Sequence, residues 1–319
     1  MKKTLIALAA VAAVGASYAQ VSITGGVSVA SQKSLDGKSK GLAFTDNTLY
    51  VGVTEDLGGG MKLSAAMVIE NDTPRGTYWD RGDQSISLAT PAYVLTFANT
   101  RSGGNQGAAL VAPANLNDDQ WASAVITREA IDVAVVTVPL SSAFSASYKY
   151  VEGKDATASG AAGLAAGYSG SHAAGTVTHV VGGKYSANGL TVVGQYNSTS
   201  FGDGLNAVLT AAGISRSTST DLSVVYNAGV ATIGFGYDSP RRGKADSDAA
   251  ATLLGVSVPF GAATVGLNWG KRDAASFMQV AAQYDLSKRT NVNLSLGNDT
   301  QSGTSGTNDQ YRLSLNHSF

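Results

Sequence analysis

The final nine residues of the chain alternate strictly. Tyr311, Leu313, Leu315, His317 and Phe319 fall on one parity, and Arg312, Ser314, Asn316 and Ser318 on the other. Successive residues of a strand point to opposite faces, so this segment reads as a strand with one apolar face that closes on an aromatic. The pattern recurs along the chain. Leu49, Val51 and Val53 are followed, across Gly58-Gly59-Gly60, by Leu63, Ala65, Met67 and Ile69. Ile86 and Leu88 lead through Pro91 to Tyr93, Leu95 and Phe97. Ile131, Val133 and Val135 turn at Pro139 into Phe144, Ala146, Tyr148 and Tyr150. Val181, Gly183 and Tyr185 meet Asn188-Gly189, a strong hairpin dipeptide, and resume as Leu190, Val192 and Tyr196. Leu222 to Tyr226 pairs with Ala231 to Tyr237, Leu254 to Val258 with Val265 to Trp269, and Met278 to Tyr284 with Val292 to Leu296. With Val21 to Val29 first and Tyr311 to Phe319 last, sixteen strands are predicted.

The connections matter more than the count. Seven are tight turns, and eight are expected to be long and polar, near 32–45, 71–82, 101–120, 152–175, 200–216, 238–248, 271–275 and 298–308. Short turns at one end and longer loops at the other are what a transmembrane antiparallel β-barrel requires, with periplasmic turns and extracellular loops. A soluble β-sandwich gives no reason for that asymmetry. The expected fold class is therefore all-β, a sixteen-stranded barrel with both termini on the short-turn side.

The apolar parity is expected to face lipid. The other parity carries Ser22, Thr24, Thr54, Lys62, Glu70, Ser87, Asp132, Lys149, Lys184, Gln195, Asp221, Asn268, Gln279, Asn291 and Arg312, too polar for a dry core. Sixteen strands enclose a water-filled channel, where eight would be filled by their own side chains. Aromatic residues gather near strand ends, with Tyr93, Tyr185, Tyr226, Tyr284 and Phe319 by the short turns and Tyr150, Tyr196, Tyr237 and Trp269 by the long loops. Two interfacial belts follow from rings with one apolar and one wet side.

The N-terminus names a compartment. Lys2 and Lys3 precede the apolar run Leu5 to Gly15, and Ser17-Tyr18-Ala19 is a small-x-small cleavage site. Residues 1–19 read as a secretion signal and residues 20–319 as one barrel domain, located in the bacterial outer membrane. The run is too short to span a bilayer as a helix, and no later segment reaches 18 apolar residues. Without Lys2 and Lys3 the 22 basic residues fall to 20 against 23 acidic, which offers no basic face for nucleic acid. There are no cysteines, so neither a disulfide framework nor thiolate zinc arises. No cofactor is expected.

Two turns carry a family likeness. Val51-Gly52-Val53-Thr54-Glu55-Asp56-Leu57-Gly58-Gly59-Gly60-Met61-Lys62 resembles the T-E-D-L-G-G-G-x-K turn after the second strand of general bacterial porins of the proteobacterial type. Asp285-Leu286-Ser287-Lys288-Arg289-Thr290 is similar to their L-S-K-R-T turn before the penultimate strand. Both fall where the strand count places periplasmic turns. The resemblance implies a homotrimeric, non-specific diffusion channel whose third loop folds into the lumen as a constriction. One stretch departs from it. Where such porins carry G-R-Q leading into the third loop, this chain reads Ala98-Asn99-Thr100, with Arg101 one residue later.

The expected chemistry is sieving. Third-loop carboxylates Asp118 and Asp119 would oppose basic wall residues Arg101, Lys62, Arg128, Lys149, Lys184 and Arg312, with Glu70, Asp132 and Asp221 as acidic partners. Opposed charges across a narrow pore tune which ions pass. The alternatives are a substrate-specific channel on the same barrel, or a non-conducting adhesin barrel. Small hydrophilic solutes, ions, outer-membrane lipid and lipopolysaccharide are the expected partners, the last through Arg241-Arg242-x-Lys244. An enzyme is disfavoured, since His172, His179 and His317 sit in no catalytic motif. Asp46, Asp72, Asp80 and Asp83 form no twelve-residue calcium loop, and Gly58-Gly59-Gly60 precedes a strand, unlike a phosphate cradle. Gly25 is a candidate point of close subunit approach.

Overall fold

Each alternating segment becomes a strand because lipid and water select opposite parities of one backbone. The computed structural model describes residues 19–33, 40–71, 80–102, 105–113, 129–153, 176–201, 218–239, 249–300 and 308–319. Sixteen strands are present: β1 (Gln20–Lys33), β2 (Lys40–Gly58), β3 (Met61–Asn71), β4 (Asp80–Ala89), β5 (Val94–Ser102), β6 (Glu129–Pro139), β7 (Phe144–Gly153), β8 (Thr176–Ala187), β9 (Leu190–Phe201), β10 (Thr218–Asn227), β11 (Thr232–Asp238), β12 (Ala251–Phe260), β13 (Ala263–Arg272), β14 (Ala275–Ser287), β15 (Thr290–Thr300) and β16 (Asn308–Ser318). Each pairs with its sequence neighbours, and β1 pairs with β16 to close the barrel. A short 3-10 helix, Asn105–Ala109, follows β5.

Residues directly opposite on neighbouring strands share a face, so the register traces two continuous surfaces. One row runs Leu190, Tyr226, Ile233, Val256, Leu267, Val280, Leu296 and Tyr311 across β9 to β16. Most of these side chains are exposed, as a lipid-facing surface is in the isolated chain. The adjacent row runs Ser257, Gly266, Ala281, Ser295, Arg312 and Gln32. Buried polar residues such as Asn268, Gln279, Ser295 and Gln32 belong to this second face. It is the concave, inner side of the cylinder.

The turns follow their residues. Asn188 and Gly189 have φ of 52° and 77°, the left-handed pair that a two-residue hairpin matching strand twist requires. The two family-like turns share a device: the register slips by a bulge between Asp56 and Gly58, and again between Asp285 and Ser287. In the first, the Gly58 amide donates to Asp56 Oδ1 at 2.8 Å.

Three expectations change. The connection near 271–275 is a two-residue turn at Asp273-Ala274, with Asp273 at φ 53°, so the β13–β14 hairpin is tight at both ends. In β6 the faces are reversed. Asp132 lies opposite Asn99 and Glu152, and Ala134 opposite Phe97 and Tyr150, so both belong to the outer face. Ile131, Val133 and Val135 face inward, where Ile131 clusters with Val151 and Val180. The apolar residues of β6 occur on both parities, and the neighbours' register rather than local hydrophobicity sets the face.

Gly25 is the third. The Gly25 amide donates to Phe319 O at 3.1 Å and the Phe319 amide to Gly25 O at 3.0 Å, completing the seam between the chain's two ends. A Cβ on Gly25 would stand 2.6 Å from the Phe319 ring and 2.6 Å from Thr48 O. Its outer side is covered by the chain's own last residue, not left for a partner. Gly25→Val should destabilise the closed barrel by about 1–3 kcal/mol, because a backbone carbonyl must yield. Urea titration of the refolded protein in detergent, followed by tryptophan fluorescence, measures it; an unchanged midpoint would show the seam to be slack.

Candidate functional site

The inner face is the candidate site, and the described part of the third loop lies on it. The 3-10 helix Asn105–Ala109 packs against β10, β11 and β12. Its seat is made by absent side chains. A Cβ on Gly234 would lie 2.1 Å from Ala109 O, one on Gly255 2.2 Å from the same oxygen, and one on Gly266 2.7 Å from Ala112 Cα. All three glycines stand on the inner parity, so loop backbone meets wall backbone with nothing between.

Beside this floor is an apolar anchor. Leu253 (0 % exposed) and Phe277 (2 %) point inward from β12 and β14 and cluster with Ala251, Ala275, Ala109 and Leu110. A third element is polar. The Ala112 amide donates to Asn268 Oδ1 at 3.1 Å, Asn268 Nδ2 donates to Gln279 Oε1 at 3.3 Å, and Gln279 Nε2 donates to Ser295 Oγ at 3.3 Å. Asn268 is fully buried beneath the loop. Satisfying both its amide groups matters, since one buried partner left unpaired costs about 1–3 kcal/mol.

Elsewhere the inner wall is wet in character. Ser28 bridges Thr45 (3.1 Å) and Asn316 (2.6 Å), and Asn316 reaches Asn291 at 2.9 Å. Ser87 and Thr96 pair at 2.8 Å, and Thr178 and Thr199 at 2.9 Å. This ladder of hydroxyls and amides is what a solvated channel wall needs.

The charged candidates separate into groups. Lys149 Nζ donates to Gln195 Oε1 at 3.2 Å, reaching across β8 where Gly182 leaves a gap opposite Gln195. Gln195 and Asn197 in turn donate to Asp221 Oδ2 at 2.7 and 2.8 Å, so Lys149 and Asp221 are brought into one network. Arg312 Nε donates to Gln32 Oε1 at 3.0 Å on the β16–β1 side. Lys62, exposed, lies opposite Asp56 near the short-turn end, as does Lys184 between Ser145 and Val193. Glu70 lies opposite Thr48 on β2 and Asp80 on β4. Asp132 is not in the lumen: it accepts from Asn99 Nδ2 at 2.5 Å on the outer face. Arg101 pairs by its backbone with Ala130 at the end of β5, and its side chain lies outside the described structure. Asp118, Asp119, Arg128 and Arg241-Arg242-x-Lys244 also lie outside the described residues.

Sequence reasoning missed the seat. It also missed Arg272, whose Nη2 donates to the fully buried Asp238 at 2.5 Å across β12. Signals existed for the seat. Leu253-Leu254 and Phe277-Met278 break the alternation, and Gly234, Gly236, Gly255, Gly266 and Gly270 all fall on the parity that elsewhere carries polar side chains. Arg272 and Asp238 sit at strand ends that read as loop.

Comparisons with known proteins agree with this architecture. A mutant of the porin of Rhodopseudomonas blastica superposes with a TM-score of 0.63 at 13% identity, covering 94% of this chain and 100% of that one. The anion-selective porin from Comamonas acidovorans gives 0.64 at 18% identity, covering 95% and 100%. At such identities the likeness is one of fold. No match was found among curated protein sequences. The Gram-negative porin family model, however, matches residues 4–304. A closed sixteen-strand barrel with a polar interior, a third loop seated on its inner wall and that match together place the chain in the Gram-negative porin family, as an outer-membrane diffusion channel.

Proposed function

We propose that the chain is a general porin, passing ions and small hydrophilic solutes without a dedicated substrate. The observation that carries this reading is the inner wall itself. Its amides and hydroxyls are spread around the described barrel, and the densest group, Lys149, Gln195, Asn197 and Asp221, is turned upon itself. A substrate-specific channel would instead present convergent groups to a solute. Recording single channels in planar bilayers tests the reading. Large ohmic steps, undiminished by individual sugars or amino acids, are expected; block by one solute at low concentration would favour a specific channel, and an absence of steps an adhesin.

The charge filter is proposed to set Asp118 and Asp119 against basic wall residues, with Lys149 and Arg312 nearest mid-wall, Lys62 and Lys184 toward the periplasm, and Arg101 and Arg128 near the loop. Glu70 and Asp221 are the acidic wall residues. One structural neighbour is named anion-selective, which makes the sign of selectivity the useful measurement. Asp118→Asn with Asp119→Asn should move the reversal potential across a salt gradient toward the anion equilibrium potential. An unchanged potential would remove both from the filter.

The mature protein is proposed to begin after Ala19, in keeping with β1 starting at Gln20. It is further proposed to be a homotrimer. Gln84 and Asn99 lie on the outer face, five residues from the short-turn ends of β4 (Ala89) and β5 (Val94). At strand rise and barrel tilt that is roughly 12 Å, about half the height of the apolar band. With Asp132 and Glu152 they border an outer groove of about 610 Å³ between Phe97 and Tyr150. Lipid tails offer these groups no hydrogen bonds, whereas a second copy of the chain does. Replacing Gln84 and Asn99 with leucine should lower the temperature at which trimers dissociate on gels. A raised barrel stability with no trimer effect would show this face to meet lipid. At the outer end, Tyr148 Oη and His179 Nδ1 lie 2.7 Å apart on the outer face, an arrangement suited to lipid and lipopolysaccharide head groups.

A further inference from the structure

The seat on β11–β13 does more than receive the third loop; it determines how far the loop stands from the wall. Three contacts fix that distance independently. Gly234 and Gly255 bring the Ala109 carbonyl to a spacing that leaves no space for a methyl group. Leu253 and Phe277 grip Ala109 and Leu110 in an apolar cluster. Asn268 holds the Ala112 amide, and its own orientation is held by Gln279 and Ser295. The amide of Asn268 is the one side-chain group that joins the loop backbone to the buried ladder of the wall.

We propose that Asn268 is the positioning residue of the constriction, and that with the glycine floor of Gly234 and Gly255 it sets the open cross-section of the channel. Asn268 touches no solute. It acts through residues 109–112, by keeping the loop at one height above the wall. The inference rests on the porin reading above, but it concerns the origin of the pore's width rather than its charge.

Two kinds of substitution should act in opposite directions. Gly234→Ala places a Cβ 2.1 Å from Ala109 O, where ordinary contact begins at 3.4 Å. The loop must then advance into the lumen by about an ångström, and single-channel conductance should fall by roughly a quarter or more. Asn268→Leu conserves volume but removes the acceptor, so the loop should sample several heights and the open state should become noisy, with sub-conductance levels. Asn268→Asp keeps an oxygen for the Ala112 amide, and Gln279 can reverse its own amide to donate; a quiet open state should return. Folding of every variant is checked by heat-modifiable mobility on gels.

Steady wild-type steps, a narrowed Gly234→Ala channel and noise in Asn268→Leu that is relieved in Asn268→Asp would establish the proposal. Folded Gly234→Ala and Asn268→Leu channels with wild-type conductance and noise would overturn it while leaving the porin reading intact. Absence of steps in the wild-type protein would overturn both. If Gly234→Ala does not fold, the leucine and aspartate pair decides: equal noise in the two removes Asn268 from the positioning role.

Discussion

A backbone in hydrocarbon has no water to satisfy its amides and carbonyls, and every feature of this chain follows from that constraint. A sheet meets it only if it has no edge, so β1 must find β16 across nearly the whole length of the chain. The eight rungs from Gly26 opposite Ser318 to Lys33 opposite Tyr311, continued by the reciprocal bonds of Gly25 and Phe319, perform that closure. Once the cylinder is closed, alternation does the remaining sorting. One parity must dissolve in lipid, and the other surrounds water.

Closure creates a second problem, which the third loop addresses. A sixteen-stranded cylinder is wide, and its wall alone exerts little control over what passes. A loop crossing the lumen needs something to rest on, yet a solvated polar wall offers weak and exchangeable contacts. The barrel therefore surrenders its inner pattern on β11–β14. Glycines replace polar side chains at Gly234, Gly255 and Gly266, and Leu253 and Phe277 turn inward to form an apolar pad. The inner wall is thus divided by task, a wet ladder on β15, β16, β1 and β2, and a dry seat opposite.

The charged groups show a related economy. Asp221 accepts from two amides and Asp238 from an arginine, so both buried carboxylates have donors. A carboxylate buried on a pore wall without donors would take up a proton or draw in a cation, and either would change the channel. The outer face carries its own exception. Gln84, Asn99 and Asp132 interrupt the apolar band on β4 to β6, where the cost of polar groups in lipid is offset only by protein contact.

The sixteen strands, their turns and their polarity could be read from residue order, because alternation is local and a hairpin dipeptide such as Asn188-Gly189 carries its own φ preference. The faces of most strands were legible for the same reason. β6 was not: its apolar residues occupy both parities, and only pairing with Asn99 and Glu152 decides that Asp132 points out. Gly25 likewise gave no sign that residue 319 would cover it, since that contact spans almost the entire chain. The loop seat was written in the sequence as misplaced glycines and doubled apolar residues, but its meaning required knowing that β11, β12 and β13 lie across the lumen from β5. Residue order thus settles what repeats every second position. Where two distant segments meet, and which of them yields its side chain to let the other approach, is settled only when the cylinder closes.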